Sequence, residues 1–238
     1  MSEYFLLLLA AVGLLVCVAN WRIGFLLCVL AGCLQDPIRK LVPDQPIYIT
    51  SAIILFVVAT CVGAYLRGRK FSLQPIHSWH GSLKIPLALF SAVVVVQSVV
   101  TFVTFGSPIL AIIGLFAYVT PLPGILLGYH FARREQETHR FIKFYVLLNV
   151  LMISGVYLSY ADFDWEVLKQ VGEGMVVYSM EKGILVLRPG FYRAPEVAAF
   201  HAATSICFLI ILFMVLKRHL LLKFATGGLI LFFWGALL

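Results

Sequence analysis

The stretch Ile85-Pro-Leu-Ala-Leu-Phe-Ser-Ala-Val-Val-Val-Val-Gln-Ser-Val-Val-Thr-Phe-Val-Thr-Phe105, followed by Gly106-Ser107 and then the run from Pro108 to Phe131, contains no Asp, Glu, Lys or Arg. A bilayer core about 30 Å thick is crossed by about 20 apolar residues in helical conformation, so this stretch reads as two membrane spans joined by a two-residue turn. The rest of the chain has the same character. Of its 238 residues, 62% are hydrophobic and 12% charged, and mean hydropathy is +1.00. A water-soluble domain carries about a quarter charged residues. Water is therefore not the solvent for most of this chain, which reads as one membrane domain over residues 1–238.

Working outward from that stretch, apolar segments fall at 4–19, 23–34, 48–66, 85–105, 108–131, 144–160, 197–216 and 224–238. The expected fold is an all-α polytopic bundle of about seven to eight membrane segments. The second segment is too short to cross upright. Residues 5–34 make either two tight passes folded at Asn20, Trp21 and Arg22, or one long broken helix. The first run lacks the positive n-region and small-residue cleavage site of a secretory signal. The chain stops inside an apolar run, whereas membrane helices are usually closed by interfacial residues, so it is expected to be truncated at its C-terminus.

Basic residues alternate from one connection to the next. Eleven of them (Arg67, Arg69, Lys70, Lys84, Arg133, Arg134, Arg140, Lys143, Lys217, Arg218 and Lys223) fall on one side of the expected topology, which the positive-inside rule makes cytoplasmic. The segments 35–47 and 161–196 then face outward. The formal charge of +7 reflects these helix-end anchors to anionic membrane lipids, not a nucleic-acid partner. In the external loop 161–196, Asp164 is expected to cap a short helix carrying Trp165, Leu168 and Val171, stopped by Gly172 and Gly174. Residues 175–180 and 184–187 read as a β-hairpin turning at Glu181, Lys182 and Gly183. Pro195 suits the first turn of the next helix.

Phosphate loops, dinucleotide fingerprints, zinc-protease histidines and serine elbows are all missing from the sequence. The five cysteines (Cys17, Cys28, Cys33, Cys61, Cys207) lie in apolar runs as small hydrophobes. His77 and His80 flank Trp79 without nearby carboxylate or thiolate partners, so they read as an interfacial patch and no metal site is expected. Gly124 and Gly128 permit close helix packing. Pro121 and Pro123 should break the backbone ladder, which argues against a lipid-facing position. Arg39 and Lys40, after an Asp36-Pro37 turn, read as interfacial anchors or as grips for a phosphate-bearing lipid. The densest polar cluster is Arg188-Pro-Gly-Phe-Tyr-Arg193-Ala-Pro-Glu196-Val-Ala-Ala-Phe-His201. Its His201 lies about a turn and a half inside a helix, where an ionisable group must face protein or water. It is either a neutral hydrogen-bonded bundle residue or a catalytic group.

Gly32-Cys-Leu-Gln-Asp-Pro-Ile-Arg-Lys40 with Asp44-Gln-Pro46, and Gly190-Phe-Tyr-Arg-Ala-Pro-Glu196 with Phe200-His201-Ala-Ala-Thr204, resemble stretches of bacterial O-antigen ligase and O-antigen polymerase-like membrane proteins. The resemblance covers an N-terminal half, since those chains are longer and carry a second large external loop with further Arg and His residues. It implies an inner-membrane glycosyltransferase that moves a glycan from an undecaprenyl-diphosphate carrier to an acceptor without any cofactor. Arg188, Arg193, Arg39 and Lys40 would bind the diphosphate, and His201 would be the catalytic candidate. The rival expectation is a non-enzymatic membrane protein, half of a transporter or an assembly partner.

Overall fold

The computed structural model describes residues 3–42, 48–67, 84–169, 171, 176–179, 183–215 and 220–237. The helices are α1 (Glu3–Ala19), α2 (Trp21–Leu41), α3 (Tyr48–Leu66), α4 (Lys84–Phe105), α5 (Pro108–Val119), α6 (Pro121–Ala132), α7 (Glu135–Tyr160), α8 (Pro195–Val215) and α9 (Leu220–Gly235). Among the described residues, five stretches are long and apolar enough to cross a membrane: α2, Ile85–Phe105 of α4, Pro108–Ala132 across α5 and α6, α7, and α8. Contacts divide the chain into two compact units, Met1–Cys28 with Ser51–Glu135, and Val29–Thr50 with Gln136–Leu238.

In the first unit, α1 ends at Ala19 and α2 starts at Trp21, with Asn20 the single residue between them. The Asn20 Oδ1 accepts the Arg22 N–H at 3.2 Å. In a straight helix residues 17 and 24 would lie about 10.5 Å apart. A Cβ on Gly24 would instead fall 2.9 Å from Cys17 Cα, so the chain bends sharply at Asn20. A Cβ on Gly63 of α3 would fall 2.8 Å from Val18 Cα. These glycines let backbones touch, which is how helices associate when lipid is as apolar as any side chain. Thr60 of α3 sits in the same contact, donating to the Phe56 carbonyl at 2.8 Å and 3.4 Å from the Cys28 sulfur. Phe131 of α6 packs on Phe25 at 4.9 Å between centroids, the rings tilted by 34°, and meets Trp21 edge-on at 6.5 Å.

The Pro121 and Pro123 region differs from the expectation. Thr120 keeps right-handed helical angles, and its N–H reaches the Phe116 carbonyl at 2.9 Å. Both prolines then fall in the first turn of α6, where N–H groups have no intrahelical acceptor to lose. Little backbone needs covering, and Pro121 and Ile125 are exposed. Among the described residues, a Cβ added at Gly124 would meet nothing within 4 Å, and one at Gly128 would meet Phe25 at 3.8 Å.

In the second unit, α7 buries Ile142, Tyr145, Val146, Asn149, Met152, Ile153, Val156 and Ser159. The three- and four-residue spacing places them on one face. Against it pack α8, through Ala198, Ala202 and Leu209, and α9 through Phe233. Tyr157 donates to the Phe232 carbonyl at 2.5 Å. A second difference concerns α2. The Asp36-Pro37 turn is absent and the helix runs through Pro37 to Leu41, because Asp36 and Lys40, one turn apart, are both buried by partners described below.

The helix α7 ends in a Schellman arrangement: the Phe163 N–H reaches the Leu158 carbonyl at 3.1 Å and the Asp162 N–H reaches Ser159 at 3.2 Å. Asp162 takes the left-handed position, φ 56°, where glycine is usual. The short helix expected after it is a single 3₁₀ turn, Glu166–Leu168, with Trp165 before it making no side-chain cap bond. Asp164 does not cap it and lies 3.9 Å from Lys169, whose ammonium bonds Glu166 at 2.5 Å and is held above its usual pKa by that bond. Val167 and Leu168, not the half-exposed Trp165, are the buried residues. Beyond it, β1 (Val176–Ser179) pairs antiparallel with β2 (Gly183–Val186), Val176 opposite Val186 and Ser179 opposite Gly183. Gly183 thus stands in the ladder and not in the turn. Glu181, Lys182, Gly172, Gly174, Asp44, His77 and His80 lie outside the described residues.

Two glycines of similar sequence context should respond oppositely. Gly63→Ala drives a methyl into the α1 backbone and should cost about 1–3 kcal/mol, whereas Gly114→Ala enters open space and should be neutral or gain up to about 1 kcal/mol of helix propensity. Thermal unfolding of the two variants in detergent checks this; equal melting shifts would show that α1 and α3 do not touch at Gly63.

Candidate functional site

The loop that connects β2 to α8 has no helix or ladder to satisfy its backbone, and it is pinned to α7 and α2 instead. Gly190 has φ +61°, and a Cβ there would stand 2.8 Å from Val156 Cα. Glycine is needed twice over, for the left-handed angle and for the contact. Across from it, the ring of Phe191 lies over Gly155, where a Cβ would fall 2.7 Å from Phe191 Cγ.

Two side chains of α2 hold this loop. The Lys40 ammonium, buried with its side chain, donates to the carbonyls of Gly190 and Tyr192, each at 2.7 Å. Asp36, one turn earlier on the same face, accepts the Arg193 N–H through Oδ2 at 3.1 Å. Its Oδ1, like Gln35 Oε1, is buried and has no hydrogen-bond partner among the described residues. A buried lysine is expensive unless its protons are used, and here two of three are used on carbonyls that would otherwise be orphaned.

From Tyr192 a polar chain continues into α7 and α8. The Tyr192 hydroxyl donates to Asn149 Oδ1 at 2.5 Å, and Asn149 Nδ2 donates to the Tyr145 carbonyl at 2.9 Å. Burial pushes the Tyr192 phenol far above its ordinary pKa, so it remains a donor. The Tyr145 hydroxyl lies 2.7 Å from His201 Nδ1, and the His201 ring stacks on Tyr192, 5.1 Å between centroids and 14° between planes. Ser205 closes the α8 side by donating to the His201 carbonyl at 2.8 Å.

The residues singled out from sequence are thus distributed unequally. Lys40 is consumed inside the loop anchor, while Arg39 beside it is half-buried. Arg188 pairs with Asp162 at 2.7 Å, donates to the Ser159 carbonyl and lies 5.8 Å over the Tyr160 ring. It caps the C-terminus of α7, a favourable place for a cation. Arg193 has its backbone fixed by Asp36 while its side chain is exposed, and its guanidinium makes no hydrogen bond or ion pair among the described residues. His201 faces the tyrosines and not the arginines. Asp36, Tyr145, Asn149 and Tyr192 were missed as members. The legible signals were Asn149, an amide within an apolar span, and the one-turn spacing of Asp36 and Lys40. Among the described residues, no three His, Cys, Asp or Glu side chains are grouped to hold a metal ion.

Removing Lys40 with Met should cost about 3–5 kcal/mol, because it strands two carbonyls and Asp36 together. Tyr192→Phe should cost about 1–3 kcal/mol by orphaning Asn149 Oδ1. Lys40→Met and Asp36→Asn should be non-additive by about 1 kcal/mol or more in a double-mutant cycle, read by thermal or denaturant unfolding; strict additivity would mean that they hold the loop independently. No protein-family model, curated protein or solved structure matches this chain.

Proposed function

We propose that this chain is an integral membrane protein of bacterial surface-polysaccharide assembly, with seven to eight membrane segments and residues 161–196 on the outer face, and that it binds the diphosphate of a lipid-linked glycan through Arg193. The observation that carries the reading is the anchored loop. Two buried ionisable side chains and a buried tyrosine fix the backbone on either side of Arg193, and its guanidinium is left exposed. A site that must grip a phosphate oxygen benefits from such preorganisation, because binding then orders little further. The planar, always-charged guanidinium suits bidentate phosphate contacts. The motif resemblance supplies the carrier: an undecaprenyl diphosphate.

In the transfer reaction, the bond between the sugar anomeric carbon and the diphosphate oxygen breaks, and a bond to the acceptor hydroxyl oxygen forms. The departing diphosphate takes the electron pair, and Arg193 stabilises that charge. The acceptor's proton passes to a base, for which His201 is the candidate through its second ring nitrogen. Arg188 acts by position, holding the end of α7 through Asp162. A second reading, a non-enzymatic assembly partner that binds lipid-linked glycan without transferring it, is favoured by one observation: His201 is held by Tyr145 and stacked on Tyr192, a structural placement.

Undecaprenyl diphosphate titrated onto the purified full chain, with bound lipid counted by native mass spectrometry, tests the reading. Arg193→Ala should weaken retention about tenfold or more, the worth of a charge-assisted contact, and Arg193→Lys should fall between it and the parent. Lys169→Ala should bind as the parent does. Undiminished binding by Arg193→Ala would reject the diphosphate role. Intact binding with no glycan transfer, in vesicles supplied with lipid-linked oligosaccharide, would select the non-enzymatic reading.

A further inference from the structure

We infer that the first unit holds one anionic phospholipid, its phosphate in a basic cavity at the C-terminal ends of α3 and α6 and an acyl chain in the apolar groove beside it. The cavity, about 330 Å³, is lined by Asn20, Trp21, Arg22, Arg67 and Arg134. Arg67 directly follows α3, Arg134 lies two residues beyond α6, and Arg22 is the second residue of α2. The bend at Asn20 brings this third cation to the other two. Arg22 lies over the Trp21 ring at 5.6 Å, and three guanidinium groups lining one space give it a positive potential that draws an anion; a tetrahedral phosphate matches guanidinium geometry.

The groove, about 350 Å³, is lined by Cys61, Val62 and Tyr65 of α3 and by Pro123 and Leu126 of α6. It is almost wholly apolar and uses the same two helices. Cys61 to Tyr65 lie about 3–9 Å along α3 from Arg67, and Leu126 about 12 Å along α6 from Arg134. The groove thus leads away from the basic cavity along the helix bodies. Inorganic phosphate would need only the cavity, and an apolar partner helix only the groove. A molecule with a phosphate head and a hydrocarbon tail uses both, and basic pockets between membrane helices are where anionic lipid headgroups settle. This site shares no residue with the anchored loop and does not depend on its proposed function.

The test is native mass spectrometry of the delipidated full chain, titrated separately with phosphatidylglycerol, with phosphatidylcholine of the same acyl chains, and with inorganic phosphate. Phosphatidylglycerol should be retained about tenfold better than phosphatidylcholine, with one molecule held per chain, and phosphate alone should not be retained at matching concentrations. Arg67→Gln, an exposed position that should not disturb folding, should bring phosphatidylglycerol down to the phosphatidylcholine level. Val62→Trp, which fills the groove, should reduce retention of phosphatidylglycerol while the arginines remain. Equal retention of the two lipids by the parent chain would overturn the proposal without reference to any variant. Phosphate retained as tightly as phosphatidylglycerol, with Val62→Trp silent, would overturn it in favour of a free-anion site.

Discussion

The Lys40 ammonium, bonded to the carbonyls of Gly190 and Tyr192, is the contact on which the candidate site depends. A loop packed against helices cannot leave its carbonyls unpaired, and the usual remedy, a neighbouring strand, is missing at residues 187–194. A long side chain from α2 replaces it, supplying several donors from one atom. Asp36 supplies the complementary acceptor to Arg193 one turn away. With the loop so fixed, Gly190 can press against Val156, Tyr192 can reach Asn149, and the Tyr192 ring can stack on His201. The exposed Arg193 inherits its placement from interactions it does not itself make.

The two units rely on different forces. Among lipid tails, burying Leu or Val gains little over leaving it at the surface, and α4 exposes Ile85, Leu89, Val93, Val96 and Val103 while burying Val94. What holds the first unit together is backbone proximity at Gly24 and Gly63 and ring contact at Phe131. In the second unit, polar groups within apolar helices must find one another. Asn149, Tyr145 and Ser205 do so across or along α7 and α8, giving hydrogen bonds with a direction that apolar packing lacks.

Helices were legible because a 20-residue apolar run has one structural meaning in a membrane. The edges were less so. Asp36-Pro37 carries the local signature of a turn, but that signature is overridden when Asp36 and Lys40, before and after the proline, are held by a segment far along the chain. Pro121 and Pro123 misled in the opposite sense, because a proline's cost depends on whether it meets the helix in its first turn or later. The cluster around Arg188 to His201 was visible as a concentration of polar residues. Its internal division was not: Arg188 is bound by the left-handed Asp162, a feature of backbone angle, and Tyr145 and Tyr192 look in sequence like any other aromatics. Spacing along one helix can be read directly, whereas pairing across about 150 residues needs the fold.

That separation has a consequence for biogenesis. The Lys40 contacts join residues 150 and 152 positions apart, so at a synthesis rate of about 5–20 residues per second the end of α2 leaves the ribosome roughly 8–30 s before its acceptors exist. During that interval Asp36 and Lys40 have none of the loop partners they will later hold. The end of α2 must stay at a wet boundary, or be shielded by the insertion machinery, and it can settle only after α8 has begun to emerge. The second unit therefore closes late and from its C-terminal side, and α2 serves as an early-made receptacle for a late-arriving strap.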